Sequence, residues 1–320
     1  MDRPGRTSPT VSVVVPCHNA AGVLPASLSA LMEQTAKPSE IIVVDDASTD
    51  DSARVAGEYD GVKVVRMPFN SGAAAARNAG AGRAAGEILL FVDADVALRP
   101  EALERLIERF SAPDKPDAVV GAYTPRPPGG NFYTRAHNHF TRYNHARQQG
   151  EIQWFWGAVG AVKKDAFLAV GGFDQRRYRG ASAEDIELGF RLARAGYRIV
   201  IDHSIAGDHL ARFDLRRVLH NDFRKSALGV VLFLQENPRM NLKHGFADPA
   251  NGAAVILAGS ASAAAVATGR LGLKRAMPAL MVNPSLANSR WKSWRACAAK
   301  SRATFQGATI RRSSPPEKIV

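Results

Sequence analysis

Within the first 125 residues, short β-branched runs alternate with helical stretches, and this alternation constrains the fold more than any other feature of the sequence. The runs at 11–16, 40–46, 62–66 and 87–93 are rich in Val and Ile and end in turn-forming or acidic residues, the pattern of strands buried on both faces. Helical stretches at 23–34, 52–59, 71–85 and 100–110 separate and follow them. Parallel strands need crossover connections, so the pattern predicts an α/β fold with a doubly wound, mostly parallel sheet. Ligands of such sheets sit beyond the carboxyl ends of the strands.

All four strand ends carry polar chemistry. The first runs into Pro16, Cys17, His18 and Asn19, and the second ends in Asp45 and Asp46. The third leads through Asn70, Ser71 and Gly72 to Ala76, Arg77 and Asn78, and the fourth ends in Asp93, Ala94 and Asp95. One acid after a strand is usually a helix cap or a turn former. Four such sites in consecutive loops converge on one crevice.

Residues i and i+2 share a face at a strand end, so Asp93 and Asp95 can approach one hard divalent cation, Mn²⁺ or Mg²⁺, which also bridges to phosphate. Asp45 and Asp46 lie one βα unit earlier and suit a nucleoside, whose ring N–H and ribose hydroxyls donate to carboxylates. Arg77 offers a fork of donors to a diphosphate, or is a solvated helix residue. The glycines at 80, 82 and 86 precede a strand and have the wrong spacing for a dinucleotide fingerprint. Phosphate recognition then falls to side chains and a metal.

Past this half the pattern is less regular. It holds a Pro/Gly-rich loop at 125–130, an aromatic and His-rich helix at 132–149, the apolar run 154–162 and a helix at 184–195 opened by Glu184 and Asp185. His137, His139 and His145 lack the company of cysteine and the spacing of a zinc site, and read as surface or acceptor-side residues. Trp154 and Trp156 are either core or sugar-stacking residues. A basic amphipathic helix follows at 214–235, the start of a C-terminal helical extension.

Charge sets aside one functional class. Of the net +12, residues 249–320 carry +10, with eleven Lys/Arg against Glu317 alone, so the body before them has only +2. A nucleic-acid-binding body would be basic, and this one gathers carboxylates at its strand ends. No nucleic-acid partner is expected. The uncharged stretch 249–269 has the length of a bilayer span but is mainly Ala, Gly and Ser. With Arg212, Arg216, Arg217, Arg224 and Lys225, the tail suits an anionic membrane surface, which implies the cytoplasmic face of the cell membrane. Two cysteines and no apolar stretch after residues 1–10 fit a reducing compartment and no cleaved secretory leader.

Taken in order, the segments PCHN, VVDDASTD, NSGAAAARNAG, FVDAD, GGFD and AEDIELGFRL resemble the family 2 glycosyltransferases. The resemblance covers about residues 11–210. It implies a GT-A-like fold, with a nucleotide-sugar-binding half at 11–125 and an acceptor half at 126–213, and inverting transfer from a nucleotide-diphospho-sugar, in first choice a UDP-sugar. It assigns Asp46 to the base, Asp93 and Asp95 to the metal-diphosphate site with Asp95 as direct ligand, and His209 as a further metal ligand. Pro16, Asn19, Asp45, Arg77, Trp156 and Glu184 fall beside the donor, and Asp185 becomes the general base. Inverting transfer needs one base on the face opposite the leaving group, and a Glu-Asp pair opening a helix after the segment Gly-Ala-Ser-Ala at 180–183 suits that task. The acceptor, whether glycan, lipid or small molecule, is left open. A nucleotidyltransferase of related fold is the rival enzyme class, but it would need a Gly-rich basic loop where PCHN stands.

Overall fold

The computed structural model describes residues 8–124, 130–178 and 183–221. The membrane-span candidate at 249–269, the basic tail, most of the helix expected at 214–235 and parts of the 125–130 and 180–183 loops lie outside the described residues. No helix among the described residues is long and apolar enough to cross a membrane.

Strands β1 (Val11–Cys17), β2 (Glu40–Asp45), β3 (Val62–Arg66) and β4 (Ile88–Val92) follow the expected runs to within two residues. They pair in parallel in the order β3-β2-β1-β4. Helices α1 (Leu24–Met32), α2 (Ser52–Gly57), α3 (Ala73–Ala81) and α4 (Ala102–Ser111) make or follow the crossovers. In α4 the buried Leu103, Leu106 and Phe110 fall at helical spacing, which lays one apolar stripe on the sheet. Val13, Val15, Leu28, Leu31, Val43 and Leu90 belong to one buried cluster. Each such side chain contributes about 1.5–3 kcal/mol.

The glycine run rejected as a nucleotide fingerprint has a packing role. A Cβ on Gly80 would sit 2.4 Å from Val14 Cγ1, so glycine lets α3 lie close on β1. A polar staple closes the opposite end of the sheet: Glu40 accepts from the Ser12 hydroxyl and the Ala85 N–H, both at 2.6 Å, and pairs with Lys63 at 2.7 Å.

Beyond β4 the sheet becomes mixed. The further strands are β5 (Val96–Leu98), β6 (Ala118–Tyr123), β7 (Gly150–Ile152), β8 (Val159–Lys163) and β9 (Ile199–His209). β8 runs antiparallel between β4 and β6, β6 pairs in parallel with β9, and β5 and β7 pair antiparallel with β9. Six of the nine strands among the described residues thus share a direction, while β5, β7 and β8 oppose it. The helix expected at 132–149 is α5 (Phe132–Ala146), capped by the Asn131 side chain on the Thr134 N–H. A short α6 (Lys164–Ala169) precedes α7 (Glu184–Arg194), and α8 (Leu215–Leu219) opens the C-terminal segment.

Candidate active site

A cleft of about 760 Å³ opens over the ends of β1, β2 and β4. Its walls include Pro16, Asn19, Asp46, Arg77, Asp93, Asp95 and His209, so seven of the residues singled out from sequence meet in one place. Asp45, Trp156, Glu184 and Asp185 are not among its walls.

Two of the strand-end residues organise loops. Asn19, at φ 50°, accepts through Oδ1 from the Thr49 N–H at 2.8 Å and also from the Thr49 hydroxyl and the Asp50 N–H. The buried Asp46 accepts from the N–H groups of Ser71 and Gly72, at 2.8 and 2.7 Å, and so fixes the turn that launches α3. A carboxylate has lone pairs beyond these two bonds, and Asp46 faces the cleft. Asp45 turns inward and accepts from the Ser48 N–H at 3.3 Å, which makes it a turn former. Cys17 is no nucleophile, since burial pushes its thiol up to about 11.

On the β4 side the two acids have separate partners. Asp93 Oδ1 accepts from Arg77 Nη2 at 2.8 Å. Asp95 Oδ2 lies 3.5 Å from His209 Nε2, which β9 presents beside β5. The imidazole is held from behind: Nδ1 is 2.6 Å from Asn138 Oδ1 on α5, and the ring stacks on Tyr123 at 4.5 Å and 7°. With Nδ1 engaged by Asn138, Nε2 is the ring nitrogen that faces Asp95. Burial would raise the Asp95 carboxyl, but the hydrogen bond from His209 outweighs it and holds it below its ordinary value. Asp93 is raised, first by burial and then, against Arg77, by the Asp95 charge.

This oriented oxygen and nitrogen pair fits a divalent cation of the Mn²⁺ type, with Asn138 supplying the support that ligating histidines require. Among the described residues no third His, Cys, Asp or Glu joins them as a complete cage. Phosphate and water oxygens would fill the remaining positions.

Arg77 is neither a free donor to a diphosphate nor a solvated helix residue. It is buried, with Nη1 donating to Glu184 Oε1 and Nη2 to Asp93 Oδ1, both at 2.8 Å. Glu184 opens α7, its other oxygen accepting from the Ala183 N–H at 3.0 Å. Next to it Asp185 is half-buried and accepts from the Gly157 N–H at 3.1 Å and the Ile186 N–H at 2.8 Å. Burial, and then the Glu184 charge, push its carboxyl up to about 7.

The aromatic run is mostly interior. Trp154 and Phe155 are buried, and Trp156 packs edge-on against Tyr123 at 4.6 Å and His145 at 4.3 Å. Trp156 therefore supports the β6 wall and does not line the donor cleft. His145 is fully buried, not a surface histidine, because α5 turns it under the sheet toward Trp154 and Trp156. Sequence reasoning missed Asn138 and Tyr123, whose only signal is proximity to His209. It also placed Arg212 and Arg217 on a membrane-facing helix, whereas both line the cleft. Arg217 lies over the Phe213 ring at 5.2 Å and donates to the Arg212 carbonyl at 3.0 Å.

Known proteins resemble this chain in sequence and in fold. Validoxylamine A glucosyltransferase of Streptomyces hygroscopicus subsp. limoneus is 28% identical over an alignment of 240 positions that covers 64% of this chain and 52% of that protein. The chain thus spans about half the length of that relative. Glycosyltransferase AglE of Haloferax volcanii is 28% identical over 247 residues, 75% of this chain and 79% of its own. In fold, the mannosyltransferase PcManGT from Pyrobaculum calidifontis, solved with GDP-Man and Mn²⁺, superposes with a TM-score of 0.57 at 23% identity, over 90% of this chain and 83% of that one. The profile described as glycosyl transferase family 2 matches residues 12–173, just over half of the 320 residues. By that match the chain belongs to glycosyl transferase family 2.

Proposed function

We propose that the chain is a divalent-cation-dependent inverting glycosyltransferase that moves a sugar from a nucleotide-diphospho-sugar to an acceptor hydroxyl, with Asp185 as general base. The observation that carries this reading is the Asp95–His209 pair, 3.5 Å apart, in a cleft also lined by Arg212 and Arg217. Carboxylates alone would repel a diphosphate. Paired cationic and metal-binding walls accept one.

Each cleft residue, and Asp185 outside its walls, has a task. Asp46 takes the base N–H, with its side chain fixed by the Ser71 and Gly72 N–H groups. Asp95 and His209 hold the cation, whose positive charge, when bound, stabilises the departing diphosphate. Arg212 and Arg217 add donors to the phosphate oxygens. A carboxylate near neutrality in its proton affinity is suited to general-base work, and Asp185, at about 7, meets that requirement. It would take the acceptor proton as the new glycosidic bond forms.

The nucleotide is uridine in the preferred reading. A guanine ring also donates to a carboxylate, and PcManGT was solved with GDP-Man, so GDP-sugars are the second choice. The +10 of residues 249–320, with the exposed Arg216, makes an anionic membrane surface the proposed location of the acceptor. The test is a thermal-shift screen of UDP- and GDP-sugars with and without Mn²⁺. A donor that stabilises only with Mn²⁺ supports the reading, and no response to either series contradicts it.

A further inference from the structure

We infer that Arg77 is a positioning residue: it ties the donor-side acid Asp93 to the helix that carries Asp185, and it does not bind the diphosphate. This rests on the reading of Asp185 as the base. Arg77 and Glu184 are 107 positions apart in sequence and Arg77 and Asp93 are 16 apart, so a single guanidinium fixes the distance between two separate chain segments. Both ends of its fork are engaged, since each terminal nitrogen donates to a carboxylate at 2.8 Å. Its faces are covered as well. The Phe173 ring centroid is 5.4 Å from Cζ on one side, and a Cβ added to Gly157 would come within 2.7 Å of Cζ.

Gly157 closes the circuit. The residue whose missing side chain admits the guanidinium donates its N–H to Asp185 Oδ2. Arg77 thus contacts the base helix through Glu184 and the base's hydrogen-bond donor through Gly157. The side chain is 5% exposed, too enclosed to turn toward a ligand without breaking both ion pairs. Nε is buried with no hydrogen-bond partner among the described residues, which a guanidinium bears only where its other bonds hold it.

The charges facing Asp185 are Glu184 on its own helix and Arg77 on α3, with the Tyr123 hydroxyl on β6 and the Gly157 and Ile186 N–H groups also around it. Without Arg77, the carboxylates of Asp93, Glu184 and Asp185 lose the guanidinium that lies among all three. Asp185 then holds its proton to higher pH. Lysine keeps a charge but lacks the planar fork that reaches two carboxylates.

The experiment uses the full chain with ¹³C-carboxyl-labelled aspartate. The Asp185 signal is assigned by its loss in Asp185→Asn and titrated in wild type, Arg77→Gln, Arg77→Lys and Glu184→Gln. UDP affinity with Mn²⁺ is measured on the same samples by calorimetry. Positioning predicts that Arg77→Gln raises the Asp185 midpoint by a pH unit or more, a tenfold gain in proton affinity. Arg77→Lys should shift it less and Glu184→Gln should lower it, with UDP affinity kept within about threefold. A tenfold loss of UDP affinity with an unmoved Asp185 midpoint would overturn the inference and make Arg77 a phosphate ligand. If Arg77→Gln does not fold, Arg77→Lys and Glu184→Gln decide on the same two readouts, and an unmoved midpoint in both overturns it. Failure of the base reading looks different: Asp185→Asn would then retain turnover, whatever the Arg77 variants do.

Discussion

His209 Nε2 points at Asp95 Oδ2 across 3.5 Å while its Nδ1 rests 2.6 Å from Asn138 Oδ1. A histidine anchored on one nitrogen presents the other in a single direction, which is how protein metal ligands are usually held. If the pair serves a cation, Asp95→Ala and His209→Ala each abolish Mn²⁺-dependent UDP binding in calorimetry. Asn138→Ala, which removes only the anchor, should weaken it about 10–100-fold. Unchanged binding in all three variants removes the metal assignment.

The raised Asp185 carboxyl makes a pH prediction. A base must be unprotonated, so transfer should fall tenfold per pH unit below about 7 and level off above it. Stability runs the other way. A carboxyl whose folded affinity is raised from its ordinary value near 4 to about 7 favours the folded state below pH 4, and that contribution is lost as pH rises through 7. Asp185→Asn, which cannot ionise, should therefore melt no lower than wild type at pH 8. Paired melting curves at pH 5 and pH 8 check the sign.

Gly157→Ala places a methyl carbon against the Arg77 guanidinium. Overpacking of this kind costs about 1–3 kcal/mol, read in urea unfolding. Transfer should slow as well, because the same residue holds Asp185. UDP affinity should change little.

Far from the cleft, Glu40 tests the scaffold. It is buried, yet the N–H of Ala85, then Lys63 and the Ser12 hydroxyl, overcome that burial and hold its carboxyl at about 2. A depressed carboxyl contributes stability that is complete above its unfolded value near 4 and is lost as pH falls toward 2. Glu40→Ala should cost about 1–3 kcal/mol at pH 7, mainly through the orphaned Ser12 hydroxyl and Ala85 N–H, since the Lys63 side chain is 64% exposed. The loss should be smaller at pH 2.

What the sequence disclosed follows from how each part is built. Strands β1, β2 and β4 are buried on both faces and read as apolar runs, whereas the edge strand β3, VKVVR, is half-buried to exposed and stood out by its valines alone. The 11-residue β9, IVIDHSIAGDH, mixes apolar with polar and charged residues, and β5 and β7 have three residues each, so none stood out. With them went the antiparallel half of the sheet. Site residues at strand ends were legible because topology sends strand ends to one crevice. Asn138 and Tyr123 act only through His209, and the commitment of Arg77 depends on Glu184, 107 positions away, so neither could be read without the fold. Arg212 and Arg217 resembled a membrane-facing helix face because charge alone does not say which way a side chain turns.

The most direct test of the account is a comparison of Asp185→Asn with wild type, using the donor found in the UDP- and GDP-sugar screen, in which nucleotide release and Mn²⁺-dependent donor affinity are measured on the same preparations. A general base at Asp185 predicts turnover lower by about 10²–10⁴-fold with donor affinity within about threefold of wild type. Wild-type turnover in that variant contradicts it.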